Sequence, residues 1–439
     1  MSDRNEAVEP IVITGAGVVS PIGIGVDAFW ENLSAGRSGI STIEIMADCG
    51  APRNVGGEVK EFTDKTAKKT YLKPQRKSIK VMCREIQLGV ASAALAIENS
   101  QLAVEEMDHE RIGVDFGANL MLSPPETLKD ACWACVENGE AERSFTYGDW
   151  GTTGLATMEP LWLLKYLPNM PGCHIGIACD ARGPNNSITL DEASGNLALQ
   201  EATRNIQRGR ADVMIAGTTG TRLHPVKSMH AIMWDELANS NDPPESWSRP
   251  FDRNRSGQVL AEGACSFILE SASHAKQREA NILGTILGGG SSCVLDKQGK
   301  PHLRQALVNA MRAALRDAGM TASDIGHINA HGLSTGPIDN AEARAIQEVF
   351  GSAAGEVPVT ALKSYLGNSG SGCGTLEMAG SLLALQHGII PPTLNYQTPD
   401  PECGLNVVHG EPLATTNKVF IKLNVTRIGQ ASAIIVRAA

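Results

Sequence analysis

Two segments carry residue types whose spacing could support cofactor or redox chemistry. Residues 14–23, TGAGVVSPIG, follow a strand-like run and resemble the glycine-rich turn that cradles a dinucleotide pyrophosphate. Ser20 stands where that fingerprint has its third glycine, and Pro21 follows it directly, so nicotinamide binding is not predicted. Cys132 and Cys135 have thioredoxin or zinc spacing, but no second Cys or His pair lies at zinc-finger distance. A pair of core cysteines on a helix is the favoured interpretation.

A thiol and an imidazole also lie close together in sequence, at His174 and Cys179. Closeness along the chain does not establish the side-chain geometry that a catalytic dyad needs, so no dyad is predicted. The ten cysteines, Cys49 among them, are scattered through the chain rather than concentrated in a short scaffold. That distribution predicts reduced and mostly buried thiols.

The elements that must position any site alternate between two kinds of pattern. Runs rich in Val and Ile predict strands at residues 11–14, 212–216 and 265–269. Apolar residues at three- and four-residue spacing predict helices at residues 77–99, 193–209 and 303–318. Residues 239–250, NSNDPPESWSRP, predict a surface loop. This alternation predicts an α/β fold, and no repeat of 20 to 50 residues is visible.

Composition and charge argue against several classes of function. The chain has 439 residues and a formal charge of −10, with 20% charged and 42% apolar residues. A nucleic-acid footprint is not expected from this balance, and no apolar run approaches the roughly 18 residues of a membrane span. The first ten residues, MSDRNEAVEP, lack the pattern of a secretion signal. We therefore expect a cytoplasmic protein without nucleic-acid or membrane partners.

Four longer motifs occur in a characteristic order along the chain. They are ITGAGVVSPIG at 13–23 with Phe29 and Trp30, PFDRNRSGQVLAEGA at 250–264, HGLST at 331–335 with DNAE at 339–342, and ALKSYLG at 361–367. Together they resemble the β-ketoacyl-ACP synthase (ketosynthase) family, closest to the type II elongation enzymes and their chain-length-factor relatives. The resemblance spans residues 10–437.

The resemblance implies the fold and the partners. We expect an α/β, thiolase-like duplicated αβαβα five-layer architecture with a tail at 1–10, an N-terminal half at 11–270 and a C-terminal half at 271–439. It further implies fatty acid or polyketide biosynthesis, an acyl carrier protein as partner, and either a homodimer or a heterodimer with a cysteine-bearing ketosynthase. It implies no cofactor and no metal.

The family's nucleophilic cysteine lies in a pattern like S-x-x-T-A-C-x-S-G, and here the matching segment reads SITLDEASG at 187–195. Glu192 therefore occupies the cysteine position. A carboxylate is a poor nucleophile toward a thioester, because the mixed anhydride it would form is less stable than the thioester. Acyl transfer to this chain is not expected.

Only one of the family's two catalytic histidines is retained. His331 matches the first, but Asn368 stands at the second, and an amide can donate a hydrogen bond yet carries no charge and shuttles no proton. Lys363 and Glu377 match the family's supporting lysine and glutamate. We expect the buried polar support of the site to remain.

Substrate-handling positions have also changed. Of two threonines that the family uses near the pantetheine arm, the first is Leu333 here and the second is retained as Thr335. The family's gating loop, N-S-F-G-F-G-G-T-N, aligns with LNVTRIGQA at 423–431, which places Arg427, Ile428 and Gly429 at its centre. We expect weaker arm binding, and an ion pair between Glu192 and Arg427 that closes the former active site.

Three functions fit these residues. The first is a non-condensing subunit that pairs with an active ketosynthase and shapes its acyl tunnel. The second is a thioester enzyme that uses Glu192 as general base, with His331 and Asn368 as oxyanion donors. The third is a homodimeric binding or scaffold protein without acyl chemistry. Whether the chain retains 3-oxoacyl-ACP synthase (acyltransferase) activity is left open by the sequence.

Overall fold

The computed structural model describes residues 9–46, 52–138 and 143–439. Cys49 and residues 1–8 of the N-terminal tail lie outside the described residues. The nine other cysteines are free thiols.

Five strands form the sheet of the first half. They are β1 (Ile11–Ser20), β2 (Ile112–Ala118), β3 (Asn185–Ile188), β4 (Val213–Thr221) and β5 (Glu262–Ser271). Three of them, β1, β2 and β4, are buried at every residue, as their runs of Val, Ile, Ala and Gly predict. The order is β1-β5-β4-β2-β3, with two antiparallel pairings followed by two parallel ones.

The second half repeats this topology. Its strands are β6 (Gly284–Cys293), β7 (His327–Asn329), β8 (Pro358–Thr360), β9 (Val419–Val425) and β10 (Gln430–Ala438). The order β6-β10-β9-β7-β8 again has two antiparallel and then two parallel pairings. Residues 11–13 of β1 pair with residues 284–286 of β6 and join the two sheets. The duplication is therefore plain in the topology although no repeat is visible in the sequence.

Short strands complete the sheets and form three small hairpins or ribbons. Gly23–Ile24 pairs with β1 and Asn406–Val407 with β8, while the separate pairs are Ile40–Thr42 with Val55–Gly57, Val136–Asn138 with Arg143–Phe145, and Ile389–Ile390 with Leu413–Ala414.

Helices lie outside both sheets and between them. Those of the first half are α1 (Val26–Ser34), α2 (Arg84–Ser100), α3 (Pro125–Ala134), α4 (Met170–Cys179), α5 (Ser194–Gln207), α6 (Pro225–Trp234) and α7 (Ala272–Gln277). Those of the second half are α8 (Leu303–Asp317), α9 (Gly336–Phe350), α10 (Lys363–Leu366) and α11 (Cys373–Gln386). One further helical turn is Asp64–Thr66.

The helices and sheets stack in five layers. Helices α2 and α4 pack on the outer face of the first sheet, and α8 and α9 cover the second. Helices α5 and α11 lie between the sheets, contact both of them and contact each other. The α/β, thiolase-like five-layer architecture is confirmed, and the central helix pair brings both halves to one site.

Two of the three predicted helices match the observed ones within two residues, and the third differs at its start. The helix expected at 193–209 is α5, which ends before Gly209 with φ of 66° in the left-handed region. The helix expected to begin at residue 77 begins at Arg84 instead, after a 3₁₀ turn at Ile79–Val81 and an extended Met82. The Arg84 guanidinium is held by Glu262 and by the carbonyl of Phe62, which fixes the chain ahead of the helix.

Candidate active site

Glu192 lies in a 3₁₀ turn, Asp191–Ala193, that leads directly into α5. Its carboxylate is buried and lies near the positive end of the helix dipole. Glu192 Oε1 accepts hydrogen bonds from Arg222 Nη2 at 2.6 Å and from Asn368 Nδ2 at 2.9 Å. Burial would raise the pKa of Glu192, but the Arg222 guanidinium and the Asn368 amide outweigh it and leave the pKa below its usual value. The site therefore holds an ionised carboxylate where the resemblance predicts a thiol in an active enzyme.

The predicted ion pair between Glu192 and Arg427 does not form among the described residues. Glu192 pairs with Arg222 instead. Arg427 lies on the short turn that joins β9 to β10, with 58% of its side chain exposed and Nε 3.8 Å from Asp235. The turn is closed by hydrogen bonds between Thr426 and Gln430 and between Gly429 and Thr426, which keeps Arg427 at the surface.

Arg222 connects the buried carboxylate to this surface arginine. Its Nη1 lies 3.5 Å from Asp235 Oδ2, and Asp235 in turn faces Arg427. Glu192, Arg222, Asp235 and Arg427 thus alternate in charge from the interior to the surface, and we call these four residues the charge ladder. Sequence reasoning missed Arg222, although an arginine directly after the fully buried strand β4 was a usable signal.

Asn368 is saturated by its neighbours. Its Nδ2 donates to Glu192 and, at 2.6 Å, to Gln258 Oε1. Its Oδ1 accepts from the Gly370 amide at 3.0 Å and from the Cys373 thiol at 3.1 Å. Both amide protons are therefore in use, and Asn368 has none left for a substrate oxygen unless a present bond breaks.

His331 is fully buried, and Lys363 fixes its ring. Lys363 Nζ lies 3.3 Å from His331 Nδ1 and 2.8 Å from the His331 carbonyl oxygen. Burial and the nearby Lys363 and Lys422 ammonium groups hold the pKa of His331 well below its usual value, so the ring is neutral. A neutral ring that accepts at Nδ1 carries its proton on Nε2, and Nε2 has no hydrogen-bond partner among the described residues. It is a free donor beside the Lys363–Glu377 pair.

The expected lysine–glutamate support is present, with an additional lysine. Lys363 Nζ lies 2.7 Å from Glu377 Oε1, and Lys422 forms an ion pair with Glu377 Oε2. Burial lowers the pKa of Lys422 to about 8. Sequence reasoning missed Lys422, although a lysine inside the apolar strand β9, VFIKLNV, is a recognisable signal of a buried charge.

A cleft of about 240 Å³ opens beside Glu192 and Arg222 and includes the predicted arm-binding positions. Leu333 and Thr335 are buried in its wall, and Thr335 Oγ1 has no partner among the described residues. Of the predicted gating residues, Arg427 lines the cleft. Ile428 is exposed, and Gly429 turns the chain with φ of 90°. A Cβ at Gly429 would lie 3.0 Å from the Val294 carbonyl oxygen.

No cluster of three or more potential metal ligands occurs among residues 9–46, 52–138 and 143–439. Within the same ranges no helix is both long enough and apolar enough to cross a bilayer.

Family models match both halves of the chain. Residues 8–275 match the beta-ketoacyl synthase N-terminal domain, and residues 283–397 match the beta-ketoacyl synthase C-terminal domain. The chain belongs to the β-ketoacyl synthase family. This β-ketoacyl synthase relative is 34% identical over 402 residues to 3-oxoacyl-[acyl-carrier-protein] synthase 2 of Coxiella burnetii, with 91% of this chain and 92% of that protein covered. It is also 34% identical to the tetracenomycin polyketide synthase ketoacyl synthase alpha subunit of Streptomyces glaucescens, with 91% and 90% covered.

Solved ketosynthase structures superpose on nearly the whole chain. The ishigamide ketosynthase/chain length factor matches with a TM-score of 0.81 at 26% identity, covering 99% of this chain and all of that one. A type II polyketide synthase acyl-carrier protein in complex with its hexaketide-bound ketosynthase matches with a TM-score of 0.82 at 27% identity, with the same coverage. A β-ketoacyl synthase from Burkholderia phymatum matches with a TM-score of 0.85 at 26% identity, covering 98% of this chain.

Proposed function

We propose that this chain is a non-condensing, chain-length-factor-like subunit of a type II fatty acid or polyketide synthase. The observation that carries the proposal is that Arg222 and Asn368 hold the Glu192 carboxylate, which the family resemblance places at the nucleophile position. A carboxylate in this bonded state cannot take up an acyl group in a stable form. The likeness to the ishigamide ketosynthase/chain length factor supports the same role.

Catalysis with Glu192 as general base has less support. The lowered pKa of Glu192 makes the carboxylate a weak base at neutral pH. Both amide protons of Asn368 are already donated, so His331 Nε2 is the single free oxyanion donor of the proposed trio. Formation of a thioester enolate would therefore depend on a weak base, and only one of the two proposed donors would be free to stabilise the enolate oxygen.

The surface around β3 favours a second ketosynthase-like chain as partner. Strand β3 pairs with β2 on one side and with no other described strand, which leaves an open sheet edge. Large apolar side chains are exposed throughout the neighbouring segment, at Leu120, Trp133, Phe145, Tyr147, Leu155, Leu161, Leu163, Ile177 and Leu190. An open edge flanked by so many exposed apolar groups is typical of a surface that another chain covers. We propose a cysteine-bearing ketosynthase as that chain.

A basic segment favours an acidic second partner, and we propose the acyl carrier protein. Between residues 64 and 80 seven basic side chains are exposed, against the single acidic residue Asp64, and none of the seven forms an ion pair with a described residue. They are Lys65, Lys68, Lys69, Lys73, Arg76, Lys77 and Lys80. Their density contrasts with the net charge of −10 of the whole chain. Electrostatic steering of an acidic carrier is the role that such a surface suits.

Co-expression with a cysteine-bearing ketosynthase of the same organism tests the proposal. We expect the two chains to co-purify, and condensed acyl product by mass spectrometry only when both are present with acyl- and malonyl-carrier protein. Ile177→Glu, which places a charge on α4 beside the open edge, should abolish co-purification. Leu413→Glu, the same kind of change at an exposed leucine of the second half, should leave it intact.

Two outcomes would reject the proposed role. Condensation or malonyl decarboxylation by the purified chain alone would make it an enzyme with altered chemistry. A stable homodimer that neither pairs with the ketosynthase nor binds carrier protein would favour the scaffold function.

A further inference from the structure

We propose that Arg222, and not Glu192 alone, excludes acyl chains from the cleft. The inference rests on the proposed function, since it explains how a ketosynthase-like cleft is kept closed. Arg222 lies at the junction of the buried and surface parts of the charge ladder, where its side chain is 16% exposed.

The backbone of Arg222 is fixed on both sides. Its amide donates to the Ala261 carbonyl at 2.9 Å, and its carbonyl accepts from Ser228 Oγ at 3.0 Å. Its guanidinium is held between two carboxylates, at 2.6 Å from Glu192 and 3.5 Å from Asp235. Neither the main chain nor the side chain is therefore free to swing aside for a ligand.

This fixed side chain lies in the wall between two cavities. One is the cleft, and the other, which we call the side cavity, is lined by Leu120, Leu122 and Ala231 among others; each is about 240 Å³. Arg222 and Asp235 line both cavities. Asp191, Trp234 and Arg427 also line both cavities. Pockets that bind drug-sized ligands span about 300–1,000 Å³, so each cavity is small by itself, and we expect removal of the Arg222 side chain to widen the opening between them. The apolar parts of the two linings, Leu303, Leu333 and Ile338 in the cleft and Leu120 and Leu122 in the side cavity, are the surfaces that an alkyl chain would contact.

A thiol introduced by Glu192→Cys reports on this barrier. In the reaction the thiolate attacks the carbonyl carbon of an octanoyl-pantetheine thioester, and the new C–S bond replaces the C–S bond to pantetheine. Pantetheine leaves as a thiolate and takes up the proton that the introduced thiol lost. The free pantetheine thioester is used so that carrier docking does not enter the result.

We expect Glu192→Cys alone to stay unacylated, because Arg222 keeps its ion pair with Asp235 and remains in place. The double variant Glu192→Cys/Arg222→Ala should be octanoylated at least about tenfold faster, measured as the mass increase of the intact chain. With the small reagent iodoacetamide we expect the opposite order of reaction rates for the two variants. The guanidinium stabilises a neighbouring thiolate, so the single variant should be alkylated faster than the double variant.

Glu192→Cys/Arg427→Ala is the matched control, because it removes an arginine that lines both cavities but is exposed and weakly paired. It should stay unacylated. Octanoylation of the single variant at the rate of the double variant would overturn the assignment. Absence of octanoylation in the double variant, while iodoacetamide still modifies it, would overturn it equally.

Glu192→Cys/Arg222→Gln covers the case in which the alanine variant does not fold. It keeps most of the side-chain length without the charge, and it should recover part of the octanoylation; no recovery would reject the barrier.

Different outcomes refute the proposed function and the role of Arg222. Condensation by the unmodified chain refutes the non-condensing role, whereas acylation of Glu192→Cys alone refutes only the role of Arg222.

Discussion

Arg222 Nη2 lies 2.6 Å from Glu192 Oε1, the carboxylate that the family resemblance places at the nucleophile position. Two opposite charges that are largely buried cost desolvation free energy that only good geometry and further hydrogen bonds offset. Here the further bonds come from Asn368 to Glu192, and Asp235 faces the guanidinium from its other side. The Glu192 carboxylate therefore has a set of partners that offsets the cost of burying its charge.

A double-mutant cycle on Glu192 and Arg222 should give a large coupling free energy. Glu192→Gln or Arg222→Gln leaves the other charge buried with fewer partners, so each single variant should lose about 3 kcal/mol of unfolding free energy. The double variant should lose less than the sum of the two. The exposed pair Arg304 and Glu348, 2.7 Å apart, is the control and should couple by less than about 1 kcal/mol. Equal coupling in the two cycles, measured by urea unfolding, would show that the buried pair is no stronger than a surface pair.

Acid should remove the contribution of Glu192 to stability. Its pKa in the folded chain is lower than the usual value of 4.5, so the contribution is present above pH 4.5 and is lost as pH falls through the folded pKa. Glu192→Gln should therefore show a shallower loss of unfolding free energy below about pH 5. Glu411→Gln, at an exposed carboxylate, is the matched control. Acid unfolding curves of Glu192→Gln that run parallel to those of the unmodified chain would contradict the lowered pKa.

The chain should become more stable in mild alkali, because the buried Lys422 then loses its proton. Burial lowers its pKa to about 8 from 10.5, so the unfolded chain binds the proton more tightly than the folded one. The unfolding free energy should rise between pH 8 and 10.5, by on the order of 3 kcal/mol, as the buried ammonium group loses its proton. Lys422→Met should remove this rise and leave Glu377 paired with Lys363. Lys418→Met, at an exposed lysine nearby in sequence, should retain it.

Local patterns in the sequence were sufficient for most of the helices and strands, although α2 begins later than predicted. Helix α5 follows from the spacing of its apolar residues, and Lys363 and Glu377 form an ion pair at the positions that the family resemblance indicated for the buried polar support. The partner of Glu192 was not predictable in this way. Arg222 is thirty positions further along, and it reaches the carboxylate only because β4 ends beside the start of α5, which is a tertiary relationship. Arg427 was the wrong partner because the pairing of β9 with β10 leaves only a tight turn between the two strands, and that turn holds Arg427 at the surface.

The basic segment was likewise invisible in the net charge, because an excess of acidic residues elsewhere conceals it. If it steers an acidic carrier protein, Lys68→Glu/Lys69→Glu should weaken carrier binding at low salt at least about tenfold, since each change replaces attraction by repulsion. Increasing the salt concentration should shrink the difference, because exposed charges are screened. Arg208→Glu/Arg210→Glu makes the same charge change after the end of α5 and should leave affinity within about twofold. Fluorescence anisotropy of a labelled carrier, with the ketosynthase partner present, measures both. Equal weakening by the two double variants would show that the carrier responds to overall charge rather than to this surface.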